Sequence, residues 1–129
     1  MTKCDFGFIG LGVMGQNLAL NVESKGYCVA IYDQLPTVTK DFSAQYADRN
    51  LVANDTLKDF VDCLAKPRLL QIMVPAGPAV DAVIESLLPL LDQGDLIIDG
   101  GNTFFEDTVR REACLDNKGI RFLGAGVSG

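Results

Sequence analysis

The sequence contains no histidine among its 129 residues. This absence excludes Ser-His-Asp and Cys-His nucleophile systems and removes the commonest zinc ligand, so we expect no metal site. Positive charge is also scarce, because 11 Lys and Arg face 17 Asp and Glu for a formal net charge of −6. The longest basic cluster is the Arg110-Arg111 pair, which is typical of a solvated or interface helix face. Nucleic acid is therefore not an expected partner.

A long hydrophobic run is missing as well. Apolar stretches such as residues 69–75 end well before the roughly 18 residues that a membrane span needs. Met1 to Lys3 lead directly into a strand pattern, without the apolar region of a signal peptide. We therefore expect a soluble protein with no membrane partner.

The four cysteines form no CxxC pair. Cys4, Cys28, Cys63 and Cys114 are scattered, and three of them lie within or beside apolar stretches, where a free thiol behaves as a small hydrophobe. This distribution predicts reduced, structural thiols and a cytoplasmic location.

Short apolar runs alternate with longer amphipathic stretches along the whole chain. Five runs are predicted strands: residues 6–9, 28–32, 69–74, 96–98 and 120–123. Five stretches are predicted helices: residues 13–24, 38–46, 57–64, 78–91 and 105–117. Nearly continuous apolar strands that alternate with helices predict an α/β fold, a doubly wound parallel sheet of the Rossmann type, in one domain.

The stretch "GLGVMG", residues 10–15, follows the first predicted strand and opens the first predicted helix. A GxGxxG pattern alone is also found in ordinary turns, but this context is the one that a dinucleotide cradle requires. Gly10 makes the turn, Gly12 lets the backbone approach the pyrophosphate, and Gly15 allows close packing of helix and strand. Leu11, Val13 and Met14 complete the predicted cofactor-binding turn.

Asp33 ends the second predicted strand, 18 residues after Gly15. An acidic residue near this spacing accepts hydrogen bonds from the adenosine ribose hydroxyls. It would repel a 2′-phosphate by several kcal/mol at about 4 Å, and neither Gln34 nor Leu35 supplies a compensating cation. The residues favour NAD over NADP. The alternative is that Asp33 is a turn residue ahead of Pro36.

Three later loops carry further candidates. Val74, Pro75 and Ala76 follow the third predicted strand, at the sheet edge that lines the ligand crevice of such folds. Asn102 follows a glycine pair after the next strand and can both donate and accept near a carboxamide or hydroxyl. Ser128 and Gly129 can hold an anionic group. Each of these loops can also be read as a plain connection.

The chain resembles the amino-terminal coenzyme-binding domain of the 6-phosphogluconate dehydrogenases from residue 5 to residue 129. The segments "GLGVMGQNLALN", "LPLLDQGDLIIDGGNTFFEDTVRR" and "KGIRFLGAGVSG" carry the resemblance. The first is shared with other β-hydroxyacid dehydrogenases, whereas the other two are close to diagnostic. The resemblance implies a truncated coenzyme domain, residues 1–129, without the catalytic helical domain.

The resemblance implies oxidative decarboxylation of 6-phosphogluconate to ribulose 5-phosphate and CO2, a reaction of the pentose phosphate pathway, with a nicotinamide cofactor. The family's catalytic lysine and glutamate lie beyond the end of this chain, so the fragment is expected to bind coenzyme without turnover. The family also implies a homodimer for the full-length enzyme.

Residue by residue, the resemblance places the pyrophosphate on residues 10–15 and Asn102 between nicotinamide and substrate. Ser128 and Gly129 would begin the substrate-binding loop. Two departures matter: Asp33, Gln34 and Leu35 replace the Asn-Arg-Thr of NADP-dependent members, and Pro75 replaces a frequent lysine. Both lower the positive charge around the coenzyme and favour NAD.

Two other functions fit part of the pattern. A sibling β-hydroxyacid dehydrogenase that acts on a small unphosphorylated acid shares the glycine turn and the "GVSG" tail, but not the segment around Lys66, Pro67 and Arg68 or the "IIDGGN" run. A non-enzymatic NAD-sensing module is the second alternative, and it would have no use for the substrate loops at Asn102 and Ser128.

Overall fold

The computed structural model describes residues 3–75, 77–100 and 105–124. Strands and helices alternate along these residues. The strands are β1 (Phe6–Ile9), β2 (Val29–Tyr32), β3 (Leu51–Ala53), β4 (Leu69–Ile72), β5 (Leu96–Asp99) and β6 (Arg121–Gly124). The helices are α1 (Val13–Ser24), α2 (Pro36–Gln45), α3 (Leu57–Asp62), α4 (Pro78–Leu87) and α5 (Phe105–Asp116). None of the described helices is long and apolar enough to cross a membrane.

The six strands form one parallel sheet in the order β3-β2-β1-β4-β5-β6. The chain winds outward from β1 in one direction and then returns to β4 and winds in the other. The strand order therefore reverses between β1 and β4, where α/β folds of this type bind ligands at the carboxyl ends of the strands. The predicted Rossmann-type α/β fold is confirmed.

Successive strand residues point to opposite faces of the sheet, so both faces carry apolar side chains. Helices cover both faces and bury these side chains. Phe8 and Ile31 pack with α1 and α2 on one face, whereas Ile9 and Ala30 pack with α3, α4 and α5 on the other. All four side chains are at most 2% exposed. Burial on both faces explains why the strands read as continuous apolar runs rather than as alternating patterns.

The sequence analysis missed β3, which lies at the edge of the sheet. This strand has three residues, all at least partly exposed, so it shows neither an apolar run nor a clear alternation. It forms because Leu51 and Val52 pair in parallel with Val29 and Ala30 of β2. Pairing with a neighbouring strand is a tertiary effect, which propensity alone does not predict.

Arg110 and Arg111 do not share one solvated or interface helix face, contrary to the prediction from the sequence. The Arg110 side chain is 57% exposed, but that of Arg111 is only 2% exposed. Arg111 Nε donates to Asp81 Oδ1 of α4 at 2.9 Å, and its Nη2 donates to the Gly77 carbonyl oxygen at 3.1 Å. Its Nη1 lies 3.5 Å from Asp99 Oδ2 at the end of β5. Arg111 is buried because these acceptors compensate its charge.

Hydrogen bonds from Arg111 and then Arg110 lower the pKa of Asp81 from its ordinary value of 3.8 to about 2. We expect Asp81→Asn to lower the free energy of unfolding by about 1–2 kcal/mol near pH 7. The folded-state pKa is depressed, so this contribution is present above the ordinary pKa and is lost as the pH falls toward about 2. Urea unfolding of both proteins should show a smaller difference at about pH 3 than at about pH 7.

Glu112→Gln is the matched control, because Glu112 lies on the same helix as Arg111 and is exposed. Its free energy of unfolding should stay within about 0.5 kcal/mol of the parent at neutral pH. If the free energies of unfolding of the parent and Asp81→Asn differed by the same amount at both pH values, the ion-pair account would be contradicted.

Candidate functional site

A cavity of about 600 Å³ opens where the strand order reverses, at the carboxyl ends of β1, β2 and β4. We call it the sheet-end cleft. The structure brings together in it most of the predicted site residues: Gly10, Leu11, Gly12, Met14, Asp33, Gln34, Val74 and Pro75. These residues come from three separate segments of the chain, and the parallel sheet places all three at one edge.

Gly10 and Gly15 are required by the packing of the chain itself. Gly10 has φ of +98°, and a Cβ there would lie 2.8 Å from the carbonyl carbon and oxygen of Met73. A Cβ on Gly15 would overlap the carbonyl oxygen of Gly10. The turn therefore needs one glycine for its backbone conformation and another for the close approach of α1 to β1.

Gly12 differs from both, because nothing in the chain requires a glycine there. Its φ of −72° and ψ of −172° are open to any residue, and an added Cβ would meet no atom within 4 Å. Gly12 lines the sheet-end cleft and is the N-cap residue of α1. Its missing side chain leaves open space directly beside the first turn of the helix, as a bound phosphate group needs.

Among the described residues, the first turn of α1 has neither a side-chain cap nor an acidic residue of its own. The first backbone N–H groups of a helix have no partner within the helix, and the helix dipole makes this end favourable for an anion. The open space at Gly12 and the uncapped helix end thus fit a pyrophosphate.

Asp33 is held at the edge of the cleft by hydrogen bonds to both of its carboxylate oxygens. The Leu11 amide donates to Oδ2 at 2.8 Å, and the Leu35 amide donates to Oδ1 at 2.9 Å. The Asp33 amide in turn donates to Thr39 Oγ1 at 3.0 Å, and Thr39 is buried. The hydrogen bond from the Leu35 amide is the contact expected if Asp33 is a turn residue ahead of Pro36, which was the alternative interpretation of the sequence.

This turn contact leaves the carboxylate free to bind a ligand. An ionised carboxylate offers about four acceptor positions, and the two amides occupy two of them. The Asp33 side chain is partly exposed and lines the cleft. Its remaining acceptor positions can receive hydroxyl protons without loss of the contact to the glycine turn.

The sequence analysis missed the apolar wall of the cleft. Leu57, Ala79 and Val83 line it. Leu57 begins α3, which Thr56 caps by accepting a hydrogen bond from the Asp59 amide at 3.1 Å. Ala79 and Val83 are one turn apart on α4, beside the fully buried Val80 and the nearly buried Ile84. Ala79 is exposed and Val83 is partly exposed, and only this accessibility, which a sequence does not reveal, separates them from the core face.

Some predicted site residues do not line the sheet-end cleft. Val13 is 77% exposed and Leu35 is 57% exposed, and neither lines the cavity. Gly15 lies beneath the turn against Gly10. Four more predicted residues lie outside the residues that the structure describes: Ala76, Asn102, Ser128 and Gly129.

The sequence of this chain matches known proteins throughout its length. The family profile described as the NAD binding domain of 6-phosphogluconate dehydrogenase matches residues 5–129. The chain is 56% identical over 129 residues to the decarboxylating 6-phosphogluconate dehydrogenase of Lactococcus lactis, and all of it aligns with 27% of that protein. It is 50% identical over 129 residues to the enzyme of the same name from Escherichia coli, of which it covers 28%. The chain thus spans little more than a quarter of these relatives.

Solved structures agree with the fold. A 6-phosphogluconate dehydrogenase from Plasmodium falciparum superposes with a TM-score of 0.91 at 38% identity, over 98% of this chain and 27% of that one. That protein is described as apo, in complex with its cofactor NADP+, and in complex with its substrate 6-phosphogluconate. A 3-hydroxyisobutyrate dehydrogenase from Mycobacterium tuberculosis shares the fold at 23% identity, with a TM-score of 0.83 over 99% of this chain and 42% of that one. The family profile matches almost the whole of this chain, and the glycine turn lies where the strand order reverses. The chain therefore belongs to the family of NAD-binding domains of 6-phosphogluconate dehydrogenase.

Proposed function

We propose that this chain is the coenzyme-binding domain of an enzyme that oxidatively decarboxylates 6-phosphogluconate to ribulose 5-phosphate, and that it binds NAD in preference to NADP. The observation that carries the coenzyme preference is the Asp33 carboxylate, fixed by the Leu11 amide at the edge of the sheet-end cleft. The reaction is supported by the shared name of the relatives that are about half identical to the chain.

The proposed placement of the coenzyme follows the chemistry of the cleft. The pyrophosphate lies against Gly12 and the first amides of α1, where the space is open and the helix end is uncapped. The adenosine ribose faces Asp33. The adenine ring packs on the apolar wall formed by Leu57, Ala79 and Val83, whose exposed carbon surface suits a flat ring.

The nicotinamide extends toward the loop after β4. Val74 and Pro75 line the cleft there, and we assign Ala76 to the same loop and Asn102 to the boundary between nicotinamide and substrate. A nicotinamide held there would supply the hydride acceptor for this reaction. The proton-accepting lysine and proton-donating glutamate come from the part of the enzyme that lies outside this chain, as do most of the substrate contacts beyond Asn102, Ser128 and Gly129.

The preference for NAD rests on charge. None of the described residues that line the cleft is Lys or Arg. A 2′-phosphate carries about −1.5 to −2 charges. The Asp33 carboxylate would repel each unit of this charge by about 4 kcal/mol at ~4 Å and an effective dielectric constant of ~20, before solvent screening. The two ribose hydroxyls of NAD instead donate hydrogen bonds to the carboxylate.

The proposal for the whole enzyme includes two further points. We place it in the cytoplasm, and we expect a homodimer that assembles through its catalytic helical domain. The location follows from the distribution of reduced cysteines, and the homodimer follows from the resemblance to the family.

Isothermal titration calorimetry with NAD and with NADP tests the coenzyme preference. The parent chain should bind NAD at least about tenfold more tightly than NADP, a difference of at least ~1.4 kcal/mol. Asp33→Asn removes the charge but keeps one side-chain oxygen that can accept the Leu11 amide. This variant should therefore bind NADP more tightly than the parent does, and its preference for NAD should shrink.

Asp41→Asn is the charge-matched control, because Asp41 is exposed on α2 and does not line the cleft. It changes the net charge by the same amount and should keep the parent's preference. An equal affinity of the parent for NAD and NADP would contradict the assignment of Asp33. If Asp33→Asn and Asp41→Asn both bound NADP more tightly than the parent does, the effect would come from net charge alone and not from the position of Asp33.

Two glycine substitutions separate binding from folding. Gly12→Ala places a methyl group in open space, so it should weaken NAD binding at least about tenfold while the free energy of unfolding changes by about 1 kcal/mol or less. Gly15→Ala forces a Cβ onto the Gly10 carbonyl oxygen, so it should lower the free energy of unfolding by more than about 1 kcal/mol. Calorimetric titration and urea unfolding measure the two effects. Parent-like NAD affinity in Gly12→Ala would show that no phosphate lies at this turn.

A further inference from the structure

Three of the four cysteines meet at the amino-terminal end of the sheet, opposite the sheet-end cleft. Cys4 and Cys28 precede β1 and β2, and Cys63 is the C-cap residue of α3. Backbone hydrogen bonds fix this arrangement: the Cys4 amide donates to the Cys63 carbonyl oxygen at 2.7 Å, and the Asp5 amide donates to the Cys28 carbonyl oxygen at 2.8 Å. We call these three residues the thiol cluster.

Two of the three sulfur atoms of the thiol cluster lie in contact within the fold. Cys4 Sγ and Cys28 Sγ are 3.0 Å apart, and both residues are buried. Cys63 is only half-buried, and its thiol donates to the Phe60 carbonyl oxygen at 3.1 Å. Cys4 also lies beside Cys63, because its amide donates to the Cys63 carbonyl oxygen at 2.7 Å. Cys63 is thus the member that solvent reaches, and Cys4 lies between the other two.

The contact between Cys4 and Cys63 affects the two thiols in opposite ways. The hydrogen bond from Cys4 lowers the pKa of Cys63 to about 7, with further support from the Asn54 amide and the charge of Lys3. The same hydrogen bond, together with burial, raises the pKa of Cys4. The lowered pKa of Cys63 favours its nucleophilic thiolate, and the raised pKa of Cys4 favours its protonated form. Asn54 Nδ2 lies 3.6 Å from Cys63 Sγ and faces the thiolate as a donor.

We propose that the thiol cluster is a peroxide-reactive site, in which Cys63 reacts first with a hydroperoxide and a buried disulfide between Cys4 and Cys28 is the stable product. Among the described residues, no group of three or more His, Cys, Asp or Glu is placed to hold a metal ion.

The first two steps form a disulfide between Cys63 and Cys4. The Cys63 thiolate attacks one oxygen of hydrogen peroxide, an S–O bond forms, the O–O bond breaks and hydroxide leaves, which oxidises the sulfur to the sulfenic acid. The Cys4 sulfur then attacks Cys63 Sγ while its proton goes to the departing oxygen. The S–O bond breaks and water leaves.

The third step transfers the disulfide into the interior. Cys28 gives its proton to the hydroxide released in the first step and attacks Cys4 Sγ, so the new S–S bond forms as the bond between Cys4 and Cys63 breaks. Cys63 leaves as a thiolate, and a thiol of lower pKa is the better leaving group. In total, two thiols and one hydrogen peroxide give one disulfide and two waters. The sulfurs of Cys4 and Cys28, 3.0 Å apart, need to approach by about 1 Å to reach bonding distance.

Peptide mapping by mass spectrometry under non-reducing conditions tests the proposal on the unmodified chain. After treatment with one equivalent of hydrogen peroxide, the Cys4 and Cys28 peptides should be joined by a disulfide and Cys63 should be a free thiol. Cys114 is exposed on α5 and lies outside the cluster, so Cys114→Ser should form the same disulfide at the parent's rate.

Two variants test the order of the steps. Cys63→Ser should form the disulfide at least about tenfold more slowly, because both remaining thiols of the cluster are buried. Cys28→Ser should stop the relay at a disulfide between Cys4 and Cys63. The parent chain itself gives the decisive result: oxygen added to Cys63 with no disulfide within the cluster would overturn the proposal. Parent-like rates in a folded Cys63→Ser variant, checked by its thermal unfolding, would also overturn it.

Discussion

The hydrogen bond from the Leu11 amide to the Asp33 carboxylate connects the two parts of the structure on which the sheet-end cleft depends. The Gly10 amide adds a second bond to the Tyr32 carbonyl oxygen at 3.0 Å, so the glycine turn is fastened to the end of β2 at two points. The turn can take this position only because Gly10 adopts a positive φ and Gly15 has no Cβ. One carboxylate therefore both shapes the turn and presents negative charge where the adenosine ribose is proposed to lie.

The site residues that the sequence predicted well are those whose residue type is itself unusual. Glycines at fixed spacing after a strand, and an acid at the end of the next strand, follow from backbone geometry and hydrogen-bonding capacity, so their place in the cleft could be predicted. The turn role of Asp33, now seen in the bond from the Leu35 amide, was one of two alternatives. Its contact with the glycine turn was not predicted, because a sequence does not show that a side chain contacts a residue 22 positions earlier. The turn contact still leaves acceptor positions of the carboxylate for the proposed ribose hydroxyls.

The parts that the sequence did not predict depend on contacts between distant segments. Leu51–Ala53 becomes a strand through pairing with β2 rather than through its own pattern. Val83 lines the cleft although it is one turn from the fully buried Val80 and Leu87, since the orientation of α4 decides which residues of its apolar face remain accessible. Arg111 looked like a surface residue and is buried, because Asp81 and Asp99 come from two other elements to neutralise it.

A crystal structure of this chain with bound NAD would test the central claim most directly, that one carboxylate holds the glycine turn and selects the coenzyme. The account predicts both adenosine ribose hydroxyls within hydrogen-bonding distance of Asp33, the bond from the Leu11 amide retained, and the pyrophosphate beside Gly12 at the first turn of α1. Coenzyme bound in the cleft with its ribose hydroxyls turned away from Asp33 would contradict it.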